Sequence, residues 1–245
     1  MTKIKFFLHS YDRLDDRAIE NLTDKELECV KCYTVEKSIP KKISSKVERI
    51  NEWELEWNDY SYRNKKYYDY GAIVHLIQNP HLLEGLTHIG LMQYDVLFQK
   101  NSINNIISKL DENPNIIFYN NIRGTQDLWL SEFEFIQICN FVSEKMKIQI
   151  DIHNIIKNGW ISETFSVTPI DIFRKFGEFI LNNKQELEDI LDKNRWGIMN
   201  NIKHRMCGII ERMWGFYLVS VNSKLEKMDI EHDHNAYYHQ HEEEK

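Results

Sequence analysis

Residues 87–98, THIGLMQYDVLF, constrain this chain more than any other stretch. Ile89-Gly90-Leu91-Met92 is an apolar run that stops abruptly at Gln93-Tyr94-Asp95 and is followed by Val96-Leu97-Phe98. A short apolar run bounded by polar residues predicts a buried strand rather than a helix. Many α/β enzymes place a metal ligand as a carboxylate at the end of such a strand, on the carboxyl edge of the sheet. Asp95 therefore has two readings from this stretch: a ligand, or a solvated turn residue after a core strand.

The flanking chain alternates strands with helices. Residues 3–8 (KIKFFL) form a compact apolar run that breaks into His9-Ser10-Tyr11-Asp12, a strand entering a polar loop. Residues 12–27 predict a helix with Ile19, Leu22 and Leu27 inward, and residues 28–35 a second strand. A basic connector over 37–49, broken by Pro40, leads to a short helix. Residues 52–68 mix Trp53, Trp57 and four tyrosines with polar residues. Flat rings among hydrogen-bonding groups suit sugar or base stacking, but the favoured reading sends the tryptophans to the core.

Residues 69–78 (DYGAIVHLIQ) have helical spacing with Asn79-Pro80 as a stop. Residues 102–110 predict an amphipathic helix capped by Ser102, and residues 115–119 (NIIFY) another buried strand before a loop holding Arg123 and Asp127. A helix follows over 128–145. Residues 160–167 alternate as a strand, after which Thr168 as N-cap and Pro169 at the first position open a helix to about 181. Residues 200–227 predict one long helix. The order of strands and helices indicates a single α/β domain over 1–228 with a mainly parallel central sheet flanked by helices, and a polar His- and Glu-rich tail over 229–245.

Composition narrows the partners. The 245 residues suffice for a large core, and 42% hydrophobic content excludes a disordered chain. With 9 Gly and 4 Pro a turn-rich sandwich or barrel is disfavoured. The formal charge of −7 excludes general affinity for nucleic acid or anionic membrane, although one pocket can still be basic. No segment has the length and apolarity of a signal peptide or membrane span, and the chain reads as soluble and cytoplasmic. Cys29-x-x-Cys32 is a lone pair without zinc-finger partners, expected on opposite faces of a strand. A metal or redox role is not assigned to it.

Four stretches taken in order resemble the small glycosyltransferase-like proteins of capsular and other surface-polysaccharide clusters, of GT-A type. KIKFFLHSYD is similar to that family's first strand and its His-containing nucleotide-facing loop. YDYGAIVHLIQN is similar to the Tyr-rich helix before the central strand, and HIGLMQYDVLF to the central strand itself. FSVTPIDIFRKFGEFI, with GIIERMWGFYL behind it, is similar to the acceptor-side strand and helix and the final Glu-Arg helix. Gln93-Tyr94-Asp95 departs from the family's basic strand end and from the Asp-x-Asp signature of metal-dependent relatives.

The resemblance implies a GT-A-like α/β fold and sugar transfer from a nucleotide-sugar donor to a glycan or polysaccharide acceptor. A leaving diphosphate must be neutralised by a divalent cation on carboxylate oxygens or by Arg and Lys. Asp95 is the candidate ligand for Mn2+ or Mg2+, with His232 and His234 as late partners, against a reading of the tail as solvated with incidental histidines. His9, Ser10, Tyr11, Asp12, Arg13, Gln93, Tyr94, Asp95 and Arg123 are the candidate donor-binding residues. Without a metal, Arg13, Arg123 or Arg212 would carry the charge. Asp127 and Glu163 are alternative catalytic bases for an inverting transfer, and a retaining transfer is equally open. Glu211-Arg212 is read as a buried ion pair holding the last helix. A GT-A-like binding or assembly protein without catalysis is the alternative function, and the oligomeric state is left open.

Overall fold

A computed structural model of the chain describes residues 1–10, 16–34, 45–54, 69–128, 130–192 and 205–232. Nine strands and eight helices are described: β1 (Ile4–Ser10), α1 (Asp24–Leu27), β2 (Val30–Thr34), β3 (Glu48–Asn51), α2 (Asp69–Gln78), β4 (His88–Gln93), β5 (Val96–Phe98), α3 (Ser102–Glu112), β6 (Ile116–Arg123), α4 (Glu132–Met146), α5 (Ile152–Asn158), β7 (Trp160–Pro169), α6 (Ile170–Asn182), α7 (Lys184–Asp192), α8 (Arg205–Ser220), β8 (Lys224–Lys227) and β9 (Ile230–His232).

The main sheet has seven strands in the order β3-β2-β1-β4-β7-β6-β8, and β5 pairs with β9 in a separate ribbon. β1, β2, β3 and β4 run parallel. β7 is antiparallel to both β4 and β6, so β6 and its parallel neighbour β8 point the same way as β4. The expected single α/β domain, with a mainly parallel sheet flanked by helices, is what these pairings build.

Period-2 alternation divides the core into two layers. Phe7, Tyr33, Ile89, Leu91 and Ile117 pack with α2, α4, α6 and α8 on one face. Phe6, Leu8, Cys32, Met92 and Phe118 pack on the other with α3, Val96, Phe98 and Ile230. β4 is buried on both faces, as its apolar run requires, and Gly90 leaves room for Phe6: a Cβ there would lie 2.4 Å from the Phe6 ring.

Several local expectations change. Over the described part of 12–27 the chain forms a 3-10 turn (Asp16–Ala18) and short α1 rather than one helix, though Ile19 and Leu22 are buried as expected. The connector over 37–49 ends in β3, because β2 offers a free parallel edge to residues 48–51. Trp53 is 37% exposed rather than in the core, and Trp57 lies outside the described residues. α3 is not capped by Ser102. Asn101 holds the cap position in the left-handed region, and Glu26 Oε1 accepts the Asn104 N–H at 3.1 Å. β7 runs to Pro169, opposite His88, so Pro169 is the N-cap and α6 begins at Ile170.

The expected long helix stops at Ser220, and β8 joins β6 instead. A helical pattern gives way here because β6 has an open edge whose backbone groups need partners. Ile230–His232, at the start of the segment expected to be a polar tail, likewise form β9 against β5. Residues 233–245 lie outside the described residues.

Candidate functional site

The strand order reverses between β1 and β4: β1 continues to β2 and β3 on one side, while β4 borders β7, β6 and β8 on the other. In open α/β sheets such a reversal leaves a crevice outside the carboxyl ends of the strands. Here those ends carry His9-Ser10 and Gln93-Tyr94-Asp95. The end of β6 and the start of β7 lie on the same edge, which adds Arg123 and Trp160.

Asp95 occupies the turn between β4 and β5. Pairing of β9 with β5 sets His232 opposite Val96, which returns the late chain to the carboxylate. His232 Nε2 donates to Asp95 Oδ2 at 2.7 Å, and both side chains are 16% exposed. Phe165 of β7 backs the imidazole, with ring centroids 4.9 Å apart. Asp95 Oδ1 is buried and has no hydrogen-bond partner among the described residues.

A buried carboxylate oxygen is costly unless something meets it. A carboxylate oxygen beside an imidazole is also a donor set that suits a divalent cation such as Mn2+. Among the described residues no group of three or more His, Cys, Asp or Glu side chains converges to hold a metal. Two protein ligands leave the remaining positions of such a cation to substrate oxygens and water. Asp95 and His232 would supply two of the ligands that such a cation needs. His234 lies outside the described residues.

On the β1 side, His9 and Ser10 are fully buried. The His9 ring meets Tyr33 edge-on at 5.6 Å, and the Tyr33 hydroxyl bonds His75 Nδ1 of α2. His9 thus belongs to the α2 face of the sheet. Ser10 Oγ is buried with no partner among the described residues. Tyr11, Asp12 and Arg13 lie outside them. The Tyr33–His75 contact was not read from sequence: its members stand 42 positions apart and no local pattern marks them.

On the β6 side, Asp127 sits half-buried in a 3-10 turn (Thr125–Leu128) immediately after the strand. Its N–H donates to Gly124 O at 3.1 Å. Glu163 lies where β7 is irregular: Tyr119 pairs with Ser166 and Asn121 with Ser162, so residues 163–165 stand opposite Asn120. Bulges of this kind re-aim a strand and cluster near functional sites. The Glu163 side chain lies outside what the structure describes. Asp95, Arg123, Asp127 and the Glu163 backbone thus share one edge.

Arg212 does not face this crevice as a free cation. It is 8% exposed, Nε donates to Leu128 O at 2.7 Å and Nη1 to Gly208 O at 2.6 Å. Glu211 Oε2 lies 3.4 Å from Nη1, but its side chain is 26% exposed and it neighbours Arg212 on the same helix, so the buried pair expected to hold that helix is a partly exposed contact within it. Cys32 is buried and its thiol is pushed up to about 12 by burial, and Cys29 is raised by the same cause. Neither thiol is poised to form the thiolate that metal binding or redox chemistry needs.

No protein-family model matches the sequence, and no curated protein does. Among solved structures the chain is similar to the apo structure of WbbM, a bifunctional glycosyltransferase, with 12% identity and a TM-score of 0.54. The match covers 96% of this chain and 46% of that one, so the chain spans about half the length of its structural relative. At this identity the likeness is one of fold alone: an α/β domain with a mainly parallel sheet flanked by helices. Among the described residues no helix is long and apolar enough to cross a membrane.

Proposed function

We propose that this chain is a glycosyltransferase of GT-A type that moves a sugar from a nucleotide-sugar donor to a glycan or polysaccharide acceptor. The observation that carries the reading is Asp95 at the reversal of the sheet, with His232 at 2.7 Å and its second oxygen buried and unmet. Asp95 and His232 hold a divalent cation, Mn2+ or Mg2+, which when bound neutralises the donor's diphosphate.

The remaining roles follow from position along the carboxyl edge. Gln93 and Tyr94 border the donor from the end of β4. His9 and Ser10, buried at the end of β1, form the floor beneath it, and Arg123 adds positive charge from β6. Asp127 or Glu163 takes the proton of the acceptor hydroxyl in an inverting transfer. Burial of the crevice floor excludes water from the reacting atoms and strengthens these contacts.

The test is incubation of the protein with a panel of UDP- and GDP-sugars and manganese. The expected result is donor binding and slow donor hydrolysis, both lost in Asp95→Ala. Absence of both across the panel would defeat the reading. A second reading, a GT-A-like binding or assembly protein without catalysis, is favoured by Gln93, an amide where metal-dependent relatives of this type place a second carboxylate. Donor binding without any turnover would support it.

A further inference from the structure

We infer that Arg212 is a positioning residue that fixes the Asp127 turn against β7, and so sets the spacing between the two halves of the acceptor edge. The inference rests on the reading of that edge as the site of sugar transfer.

Three contacts of one guanidinium carry it. Nε donates to Leu128 O, the carbonyl directly after Asp127, at 2.7 Å. Nη1 donates to Gly208 O, one turn back on α8, at 2.6 Å, which ties the head group to its own helix. The guanidinium carbon lies over the Trp160 ring at 5.5 Å. Trp160 opens β7 and pairs with Arg123, the last residue of β6. One side chain thus spans α8, the turn that carries Asp127, and the strand that carries Glu163.

α8 itself has little freedom to move. At Gly215 a Cβ would lie 2.0 Å from Ile161 O, so the helix backbone rests directly on β7. Trp214 Nε1 donates to Ser166 Oγ at 3.3 Å farther along the same strand. With α8 seated on β7, the Arg212 fork transfers that fixed position to the turn. Within the chain before it, the turn is tied by Asp127 N–H to Gly124 O at 3.1 Å.

Charge alone does not explain Arg at this position. Glu211 Oε2 is 3.4 Å from Nη1, whereas the two shorter bonds go to neutral carbonyls. A guanidinium can bond two carbonyls from fixed positions while its carbon lies 5.5 Å from an indole centroid, which the single point charge of a lysine ammonium cannot reproduce. Displacement of a reacting group by about 1 Å is enough to cost roughly 100-fold in turnover.

The experiment compares wild type, Arg212→Lys, Arg212→Ala and Asp127→Asn in the manganese-dependent donor-hydrolysis assay, with amide exchange of residues 124–128 measured in parallel. The expected result for both Arg212 variants is kcat lower by roughly 100-fold with donor KM within about threefold, because Arg212 bonds the Asp127 turn directly and reaches Arg123 only through the backbone pairing of Trp160. Exchange at residues 124–128 should quicken, and added guanidinium ion should restore part of kcat in Arg212→Ala. Unchanged exchange at residues 124–128 overturns the inference, as does unchanged kcat in Arg212→Lys while Asp127→Asn is impaired. Should Arg212→Ala fail to fold, Arg212→Lys alone decides by the same readouts. If Asp127→Asn keeps full turnover, its role as base fails, and the exchange data still report on the clamp.

Discussion

Replacing Gly215 by alanine tests the seat of α8 on β7 with an internal control. The new Cβ would stand 2.0 Å from Ile161 O and 2.8 Å from Trp160 Cε3, and the oxygen belongs to a central strand that cannot yield. Relief requires lifting the helix, which loosens the buried Met213, Trp214, Phe216 and Tyr217. Overpacking of this kind costs about 3 kcal/mol, against a gain of about 1 kcal/mol from replacing glycine by alanine within a helix. The net loss of about 2 kcal/mol lowers the melting temperature by roughly 4–8 °C in a chain of this size. Gly208 lies on the same helix, but its nearest outside atom is Arg212 Nη1 at 3.4 Å, an ordinary van der Waals contact that needs no movement. Gly208→Ala therefore keeps the propensity gain and should raise the melting temperature by a few degrees, about 2–4 °C. Differential scanning calorimetry of the two variants reads the comparison. Shifts of the same sign would refute the close approach of α8 to the sheet.

Other outcomes follow from single contacts. Ser131 and Glu134 form a capping box on α4, with Ser131 N donating to Glu134 Oε2 at 2.6 Å, so Ser131→Ala should cost about 1 kcal/mol by denaturant titration. His88 is held below its ordinary value of 6.5, first by burial, with Nε2 donating to Pro114 O at 2.9 Å. The folded state resists its protonation, so stability present above pH 6.5 should fall as pH drops through that value towards the lowered one. Urea midpoints between pH 7 and 5 should show this fall, reduced in His88→Gln. The Cys32 thiol, at about 12, should react with a thiol reagent only after unfolding.

How far the sequence reveals the fold depends on where each segment finds its partner. α2 occupies residues 69–78 as its spacing predicts, because its apolar stripe and the Asn79-Pro80 stop are local signals. β4 ends at Gln93 as the run implies. β8 and β9 were hidden for the opposite reason: each is short and half-exposed, and each exists because an edge of β6 or β5 needs pairing. The α3 cap was misread because Glu26, far away in sequence, supplies the oxygen that Ser102 was expected to give.

The candidate site divides in the same way. The position of Asp95 at a strand end was legible from its own neighbours. His232 enters only through the family resemblance, as a late His, and the β5–β9 register explains its approach to Asp95. The irregular pairing at residues 163–165 and the fixing of Leu128 by Arg212 depend on inter-element geometry. No pattern within the sequence marks them.

The central claim is that Asp95 and His232 form a cation site shared with a nucleotide-sugar donor. A crystal soaked with UDP and manganese chloride, measured at a wavelength where manganese scatters anomalously, tests it most directly. An anomalous peak is expected in bonding contact with Asp95 Oδ1 and His232 Nε2, the imidazole giving up its Nε2 proton and its hydrogen bond to Asp95 Oδ2 as the cation enters, with the diphosphate completing the coordination outside the ends of β1 and β4. Nucleotide density in that crevice with no peak at Asp95, or no nucleotide there at all, would contradict it.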